Sequence, residues 1–196
     1  FTVNYYGTPF TNFRVCSNGC LSFTSTATSY NNTVLPSTGA PFDLLAPFWD
    51  DLNVTGAAKV LYQVVGGALV VEWYQVPHYD SGGTNPGGPY TFEIILYPNG
   101  KIVYQYLTLG STRLNECTIG IQNSTGTVGL QCVYNAAYVH DNMAIQFTAL
   151  PEWLTVAPAS GTVPPHGTMD VTLTLSSVDL EIGAHLGQLR VLSNDI

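Results

Sequence analysis

The residues best suited to hold an ion stand together at Asp50 and Asp51, which open the run Asp-Asp-Leu-Asn-Val-Thr-Gly. Counted from Asp51, the carboxylate with Asn53, Thr55 and Gly56 matches the start of a calcium loop, where oxygen donors recur at alternate positions and a glycine allows the sharp turn. The glutamate that closes such a loop is missing, because the twelfth position is Tyr62. Asp50, Asp51 and Asn53 therefore form a candidate calcium site completed by loop carbonyls. It is weighed against the favoured reading, in which a carboxylate ties a strand end to backbone amides. No other cofactor is expected.

Four cysteines, Cys16, Cys20, Cys117 and Cys132, allow three pairings. Folding the segment from Cys117 to Cys132 about a turn at residues 123–126 sets Ile119 against Leu130 and Ile121 against Val128, and brings Cys117 opposite Cys132. Directly opposed strand residues lie within disulfide reach, so this pair is expected to close. The same folding sets Cys16 opposite Cys20 across a Ser-Asn-Gly turn, a tighter closure. The spacings contain no C-x₂-C pair, which argues against a zinc cluster of cysteines.

Asn31, Asn53 and Asn123 each begin an N-x-S/T sequon in a predicted loop or turn and are candidate glycosylation sites. The sequence shows no nucleophile elbow, no HExxH and no catalytic cysteine with a partner histidine. His78, His140, His166 and His185 occupy separate turn-like contexts. Glu72 and Glu93 fall on neighbouring predicted hairpins and could face one another as glycosidase carboxylates do, with nothing else of a glycosidase site beside them. The chain is read as not an enzyme. Among the aromatics, Trp49, Trp73 and Trp153 are assigned to the core, while Tyr5, Tyr6, Tyr79, Tyr90 and Tyr134 are surface candidates for stacking on a sugar.

The elements that must carry these residues are strands. Short β-branched and aromatic runs are punctuated by Gly, Pro, Asn and Ser, and no stretch sustains an apolar period of 3.6. One hairpin is predicted over 90–107 with a type I′ turn at Asn99-Gly100, and a second pivots on Gly66-Gly67. With the cysteine-bearing hairpin, these predict an antiparallel β-sandwich. The polar segments 24–40 and 78–89 read as long loops. Near Pro151 the texture changes, predicting a division into domains 1–149 and 150–196, the second with strands at 153–156, 169–175 and 188–193.

Only 9% of the residues are charged and the net charge is −8, so phosphate backbones and anionic lipid are repelled and nucleic acid is excluded as a partner. No apolar run approaches the roughly 20 residues that span a bilayer as a helix. A surface that is polar yet so sparsely charged suits a secreted protein. The start at Phe1, without Met or leader, is read as that of a processed or trimmed chain.

Four blocks carry a resemblance: Tyr5-Tyr6-Gly7 with Ser17-Asn18-Gly19 and Leu21-Ser22-Phe23; Ala46-Pro47-Phe48-Trp49-Asp50-Asp51; Val71-Glu72-Trp73-Tyr74-Gln75-Val76; and Thr91-Phe92-Glu93-Ile94-Ile95-Leu96 with Tyr104-Gln105-Tyr106. In this order they resemble the nidogen-like (NIDO) extracellular domain and its relatives in secreted bacterial proteins. The resemblance implies extracellular placement rather than a reaction. Pro151-Glu152-Trp153-Leu154, Ser160-Gly161-Thr162-Val163-Pro164 and Ser193-Asn194-Asp195 resemble an immunoglobulin-like half-domain, here a short, incomplete sandwich lacking its last strand. An unfinished sheet invites a strand from another chain. The expectation is a non-catalytic extracellular structural or adhesion protein, with other copies of itself as partners and strand complementation building a fibre or filament. The alternative is an accessory module of a secreted hydrolase, such as a subtilisin-like protease, that holds substrate, carbohydrate or a cell-surface ligand.

Overall fold

The computed structural model describes residues 1–83, 87–148 and 153–177. Among them there is no α-helix. The strands are β1 (Val3–Tyr5), β2 (Thr8–Phe10), β3 (Arg14–Cys16), β4 (Cys20–Ser22), β5 (Leu44–Trp49), β6 (Lys59–Val65), β7 (Ala68–Val76), β8 (Tyr90–Leu96), β9 (Ile102–Thr108), β10 (Thr118–Gln122), β11 (Gly129–Tyr134), β12 (Met143–Phe147), β13 (Leu154–Ala157) and β14 (Thr172–Leu175). Two compact units divide the chain, Phe1–Phe147 and Thr148–Ile196.

The first unit is the antiparallel sandwich that the alternating pattern predicts. One sheet has the order β11-β10-β5-β4-β3 and the other β12-β9-β8-β7-β6. Leu21, Leu45, Phe48 and Ile119 of the first sheet share one buried cluster with Val71, Trp73, Phe92, Ile94 and Tyr104 of the second. Trp73 stacks on Phe92 with ring centroids 5.1 Å apart, a contact worth about 0.5–1.5 kcal/mol beyond its buried area. The polar tips of the core aromatics bond across the gap. Trp73 Nε1 donates to the Cys16 carbonyl, Tyr104 to that of Gly120 and Tyr106 to that of Pro47. A buried phenol or indole without such a partner would be destabilising.

Turn chemistry accounts for the registers. Gly66 and Gly67 both take positive φ and pair Val65 with Ala68, as a two-residue type I′ turn requires. The β8–β9 turn differs from expectation. Gly100 has positive φ but Asn99 does not, and the Gly100 amide donates to the Tyr97 carbonyl. Pro98, whose ring fixes a negative φ, holds the first central position and shifts the turn one residue back.

The β10–β11 register also departs from expectation. Ile121 faces Leu130 and Ile119 faces Val133, with a bulge between Ile119 and Gly120. The loop is longer than predicted because the Asn123 side chain accepts from the amides of Thr125, Thr127 and Val128. Cys117 therefore lies beside Asn135, whose amide donates to the Cys117 carbonyl, and Cys132 falls at the bulge rather than opposite Cys117. Cys16 and Cys20 are direct partners in β3–β4, as expected. All four cysteines are thiols in the structure.

In the second unit β13 pairs with β14. The strand predicted at 188–193, and with it the predicted unfinished edge, lies outside the described residues.

Candidate functional site

Two of the sequence blocks, Ser17-Asn18-Gly19 and the run ending in Asp50-Asp51, meet at one end of the sandwich. Asn18, buried in the turn between β3 and β4, accepts the Asp50 amide on its backbone carbonyl and the Leu52 amide on Oδ1. The Gly19 carbonyl accepts the Phe48 amide. Gly19 must be glycine here: its φ is +71° and a Cβ would lie 1.9 Å from the Phe48 carbonyl oxygen. The Ser-Asn-Gly turn thus clamps the exit of β5 and fixes Asp50.

The second wall comes from the exit of β7. The Asn53 amide donates to the Pro77 carbonyl and the Tyr79 amide to that of Asp51, so Leu52 bridges His78 and the imidazole is carried to Asp50. The third element is the approach to β10, which supplies Glu116. His78 Nε2 lies 3.3 Å from Asp50 Oδ1 and 3.6 Å from Glu116 Oε2. Arg113 holds Glu116, with Nη2 at 3.0 Å and Nε at 3.1 Å from Oε2. The ligand atoms of Asp50, His78 and Glu116 lie within 4.8 Å of one another. They line an open cleft of about 340 Å³ with Asp51, Asn31, Asn32 and Asn135 on its walls.

The electrostatics are those of a desolvated acid-base group. Burial pulls the His78 pKa down, yet hydrogen bonds with Asp50 and the Tyr79 carbonyl outweigh it, so the imidazole is held above its ordinary value. Burial, with the Asp50 charge second, pushes the Cys117 thiol up to about 12. The same two causes raise the Tyr90 phenol.

Of the residues predicted to bind an ion, Asp50 lies in this cluster and Asp51 lines the same cleft. Asn53 belongs instead to the backbone bridge to Pro77. His78 and Glu116 were not predicted, because nothing in the linear sequence announces that residues so far apart meet. Of the sequon residues, Asn31 is exposed, while Asn53 and Asn123 are partly buried; the Asn123 carbonyl oxygen is engaged in capping its turn. Glu72 and Glu93 are cross-strand partners beside a second cleft of about 370 Å³. Trp49 and Trp73 are buried, as expected; Tyr5 and Tyr90, expected at the surface, are buried too. Each phenol reaches inward to backbone carbonyls, Tyr5 to Leu44 and Gln122, Tyr90 to Thr112.

An antiparallel sandwich with a polar cleft at its strand ends, and no α-helix among the described residues, defines a β-sandwich module. The chain belongs to the NIDO related family, which matches residues 1–164. The match runs past the expected boundary near residue 150. A 70-residue stretch is 30% identical to Dendrite extension defective protein 1 of Caenorhabditis elegans, covering 36% of this chain and 6% of that protein. The chain thus corresponds to a small part of that relative's length. No solved structure matches.

Proposed function

We propose that this chain is a non-catalytic extracellular structural module whose copies associate by adding a strand to the edge of β6. The observation that carries this reading is the exposed apolar character of that edge. β6 ends its sheet and reads Lys-Val-Leu-Tyr-Gln-Val-Val, with one charge in seven residues. Tyr62 and Val64 pair with the buried Val71 and Leu69, so they lie on the core side of the sheet. They are nevertheless 72% and 53% exposed, because the opposite sheet does not cover them. Leu61 and Val65 are exposed on the other face. Soluble proteins ordinarily protect such an edge with charge, proline or a covering segment.

Membership of a family with nidogen-like relatives, together with the low charge, supports the extracellular setting. The match to a small part of a long relative supports use as a module within a larger structure. Sedimentation of the purified chain across a concentration series tests the assembly. Mass should rise with concentration and fall to that of one chain in a Tyr62→Lys, Val64→Glu variant of unchanged fold. A chain that stays monomeric throughout, or a variant that associates as before, overturns the reading.

A further inference from the structure

Both ring nitrogens of His78 face acceptors, with the Arg113 guanidinium beyond Glu116. Nδ1 meets the carbonyl oxygen of Tyr79, which fixes the ring proton on Nδ1 in the neutral imidazole. Nε2 then turns a lone pair toward two carboxylates, Asp50 at 3.3 Å and Glu116 at 3.6 Å. That arrangement is repulsive unless a positive charge stands at Nε2. A histidine that gives its other N–H to a backbone carbonyl while aiming its free nitrogen among carboxylates has the outer-shell arrangement of a metal ligand.

We infer that Asp50, His78 and Glu116 bind a divalent transition-metal ion of the zinc class. The two separations from Nε2 suit it, and the third lies within 4.8 Å. Ligands at 2.0–2.2 Å around a tetrahedral ion stand about 3.4 Å apart, close to both distances from Nε2. A second observation points the same way: Asp50 is 4% exposed and its Oδ2 is buried without a hydrogen-bond partner, while its Oδ1 already accepts the Asp51 amide at 2.8 Å. A buried carboxylate oxygen left unpaired is destabilising. Since Oδ1 is the oxygen near His78 Nε2, coordination through both Asp50 oxygens would satisfy it. One imidazole with two carboxylates selects zinc-class ions over calcium, which takes oxygen donors only. Arg113 positions Glu116 by giving both Nη2–H and Nε–H to Oε2, and the second oxygen of that carboxylate keeps its lone pairs for an ion. The open side of the cleft leaves room for water as the fourth ligand.

The test is calorimetric titration of the whole chain with Zn²⁺ after chelator treatment, with Co²⁺ absorption as a spectroscopic reporter of ligand geometry. One ion per chain should bind and resist about a hundredfold excess of Ca²⁺. His78→Gln and Glu116→Gln should each weaken binding at least about tenfold. His140→Gln, on an exposed histidine, should leave binding unchanged. Glu116 is the more exposed ligand, so its variant decides the matter if His78→Gln fails to fold. No retained Zn²⁺ would mean that a protonated His78 bridges the two carboxylates unaided, and the inference fails. It fails equally if the Glu116 variant binds as tightly as the parent, or if Ca²⁺ displaces Zn²⁺ at equal concentration.

Discussion

Cys16 and Cys20 face one another as direct cross-strand partners at the closed end of the β3–β4 hairpin, both buried. A hydrogen bond from the Cys20 thiol, against the opposing effect of burial, lowers the Cys16 pKa to about 7. The Asn18 amide, 3.4 Å from the Cys16 sulfur, adds to this. Cys20 is pushed the other way, first by its bond to Cys16 and then by burial. A thiol with a pKa near ambient pH is well placed for exchange with a disulfide. Mild oxidation should therefore close Cys16–Cys20 before any bridge involving Cys117, whose thiol is held near 12. Peptide mapping over an oxidation time course reads the order. Closing so short a loop should stabilise the chain by about 2 kcal/mol, measured as the urea midpoint of oxidised against reduced protein.

Gly19 and Gly66 both take positive φ but differ in surroundings. At Gly66 an added Cβ meets nothing within 4 Å, whereas at Gly19 it meets the Phe48 carbonyl at 1.9 Å. Gly66→Ala should cost about 1–2 kcal/mol, the penalty of a left-handed backbone alone. Gly19→Ala adds an overpacking term of similar size, about 2–5 kcal/mol in all. It should also displace Asp50. Thermal unfolding of the two variants gives the comparison, and equal losses would show that the clamp on β5 has slack.

How much of this was legible beforehand depended on whether the deciding group was local. Gly66-Gly67 announces its turn and its register together, because the φ requirement belongs to those two residues. The Cys117 to Cys132 hairpin misleads because the apolar matching is satisfied equally well with Ile121 moved two residues along, to Leu130, and Ile119 three, to Val133, across the bulge. What chooses between the registers is the Asn123 side chain binding amides up to Val128. The overhang of Tyr62 and Val64 is illegible for another reason: alternation assigns a face to each side chain and says nothing of how far the opposite sheet extends. The cleft fails on separation. Asp50 was singled out, but its partners lie on elements brought together by long-range pairing, and only the Asn18-Gly19 contact with Phe48 and Asp50 explains why those two blocks occur together.

Glu72 and Glu93 are cross-strand partners on β7 and β8, a like-charge pair. Burial first, and the Glu72 charge second, raise the Glu93 pKa above its ordinary 4.5. The folded protein therefore holds this proton more tightly than the unfolded chain. The associated stability is full below the unfolded value and is lost as pH rises through the folded one. Glu93→Gln should be more stable than the parent at neutral pH by a few tenths to about 1 kcal/mol. The advantage should shrink as pH falls toward 4.5, the ordinary value. Urea midpoints of both proteins at several pH values test this, and a difference independent of pH would rule out the charge as its cause.

Pro47 stands in the middle of its sheet, where proline cannot donate to the ladder. β5 tolerates it because the register against β10 is irregular there, between the Thr118–Trp49 and Gly120–Ala46 pairs. The Pro47 carbonyl is instead bound from the opposite sheet by the Tyr106 hydroxyl at 2.7 Å. Tyr106 is buried, and burial raises its phenol well above the ordinary value, so the bond persists through the alkaline range. Tyr106→Phe removes one oxygen, keeps the ring and strands a buried acceptor. The loss should be about 1–3 kcal/mol, read from the urea midpoint. Tyr104→Phe, which frees the Gly120 carbonyl beside the second irregularity, should cost a similar amount. If the two hydroxyls act together in keeping the sheets aligned, the double variant will depart from the sum of the single losses. A Tyr106→Phe loss below about 0.5 kcal/mol, the ordinary range of a surface substitution, would mean that water reaches Pro47 and that this bond does not hold the sheets.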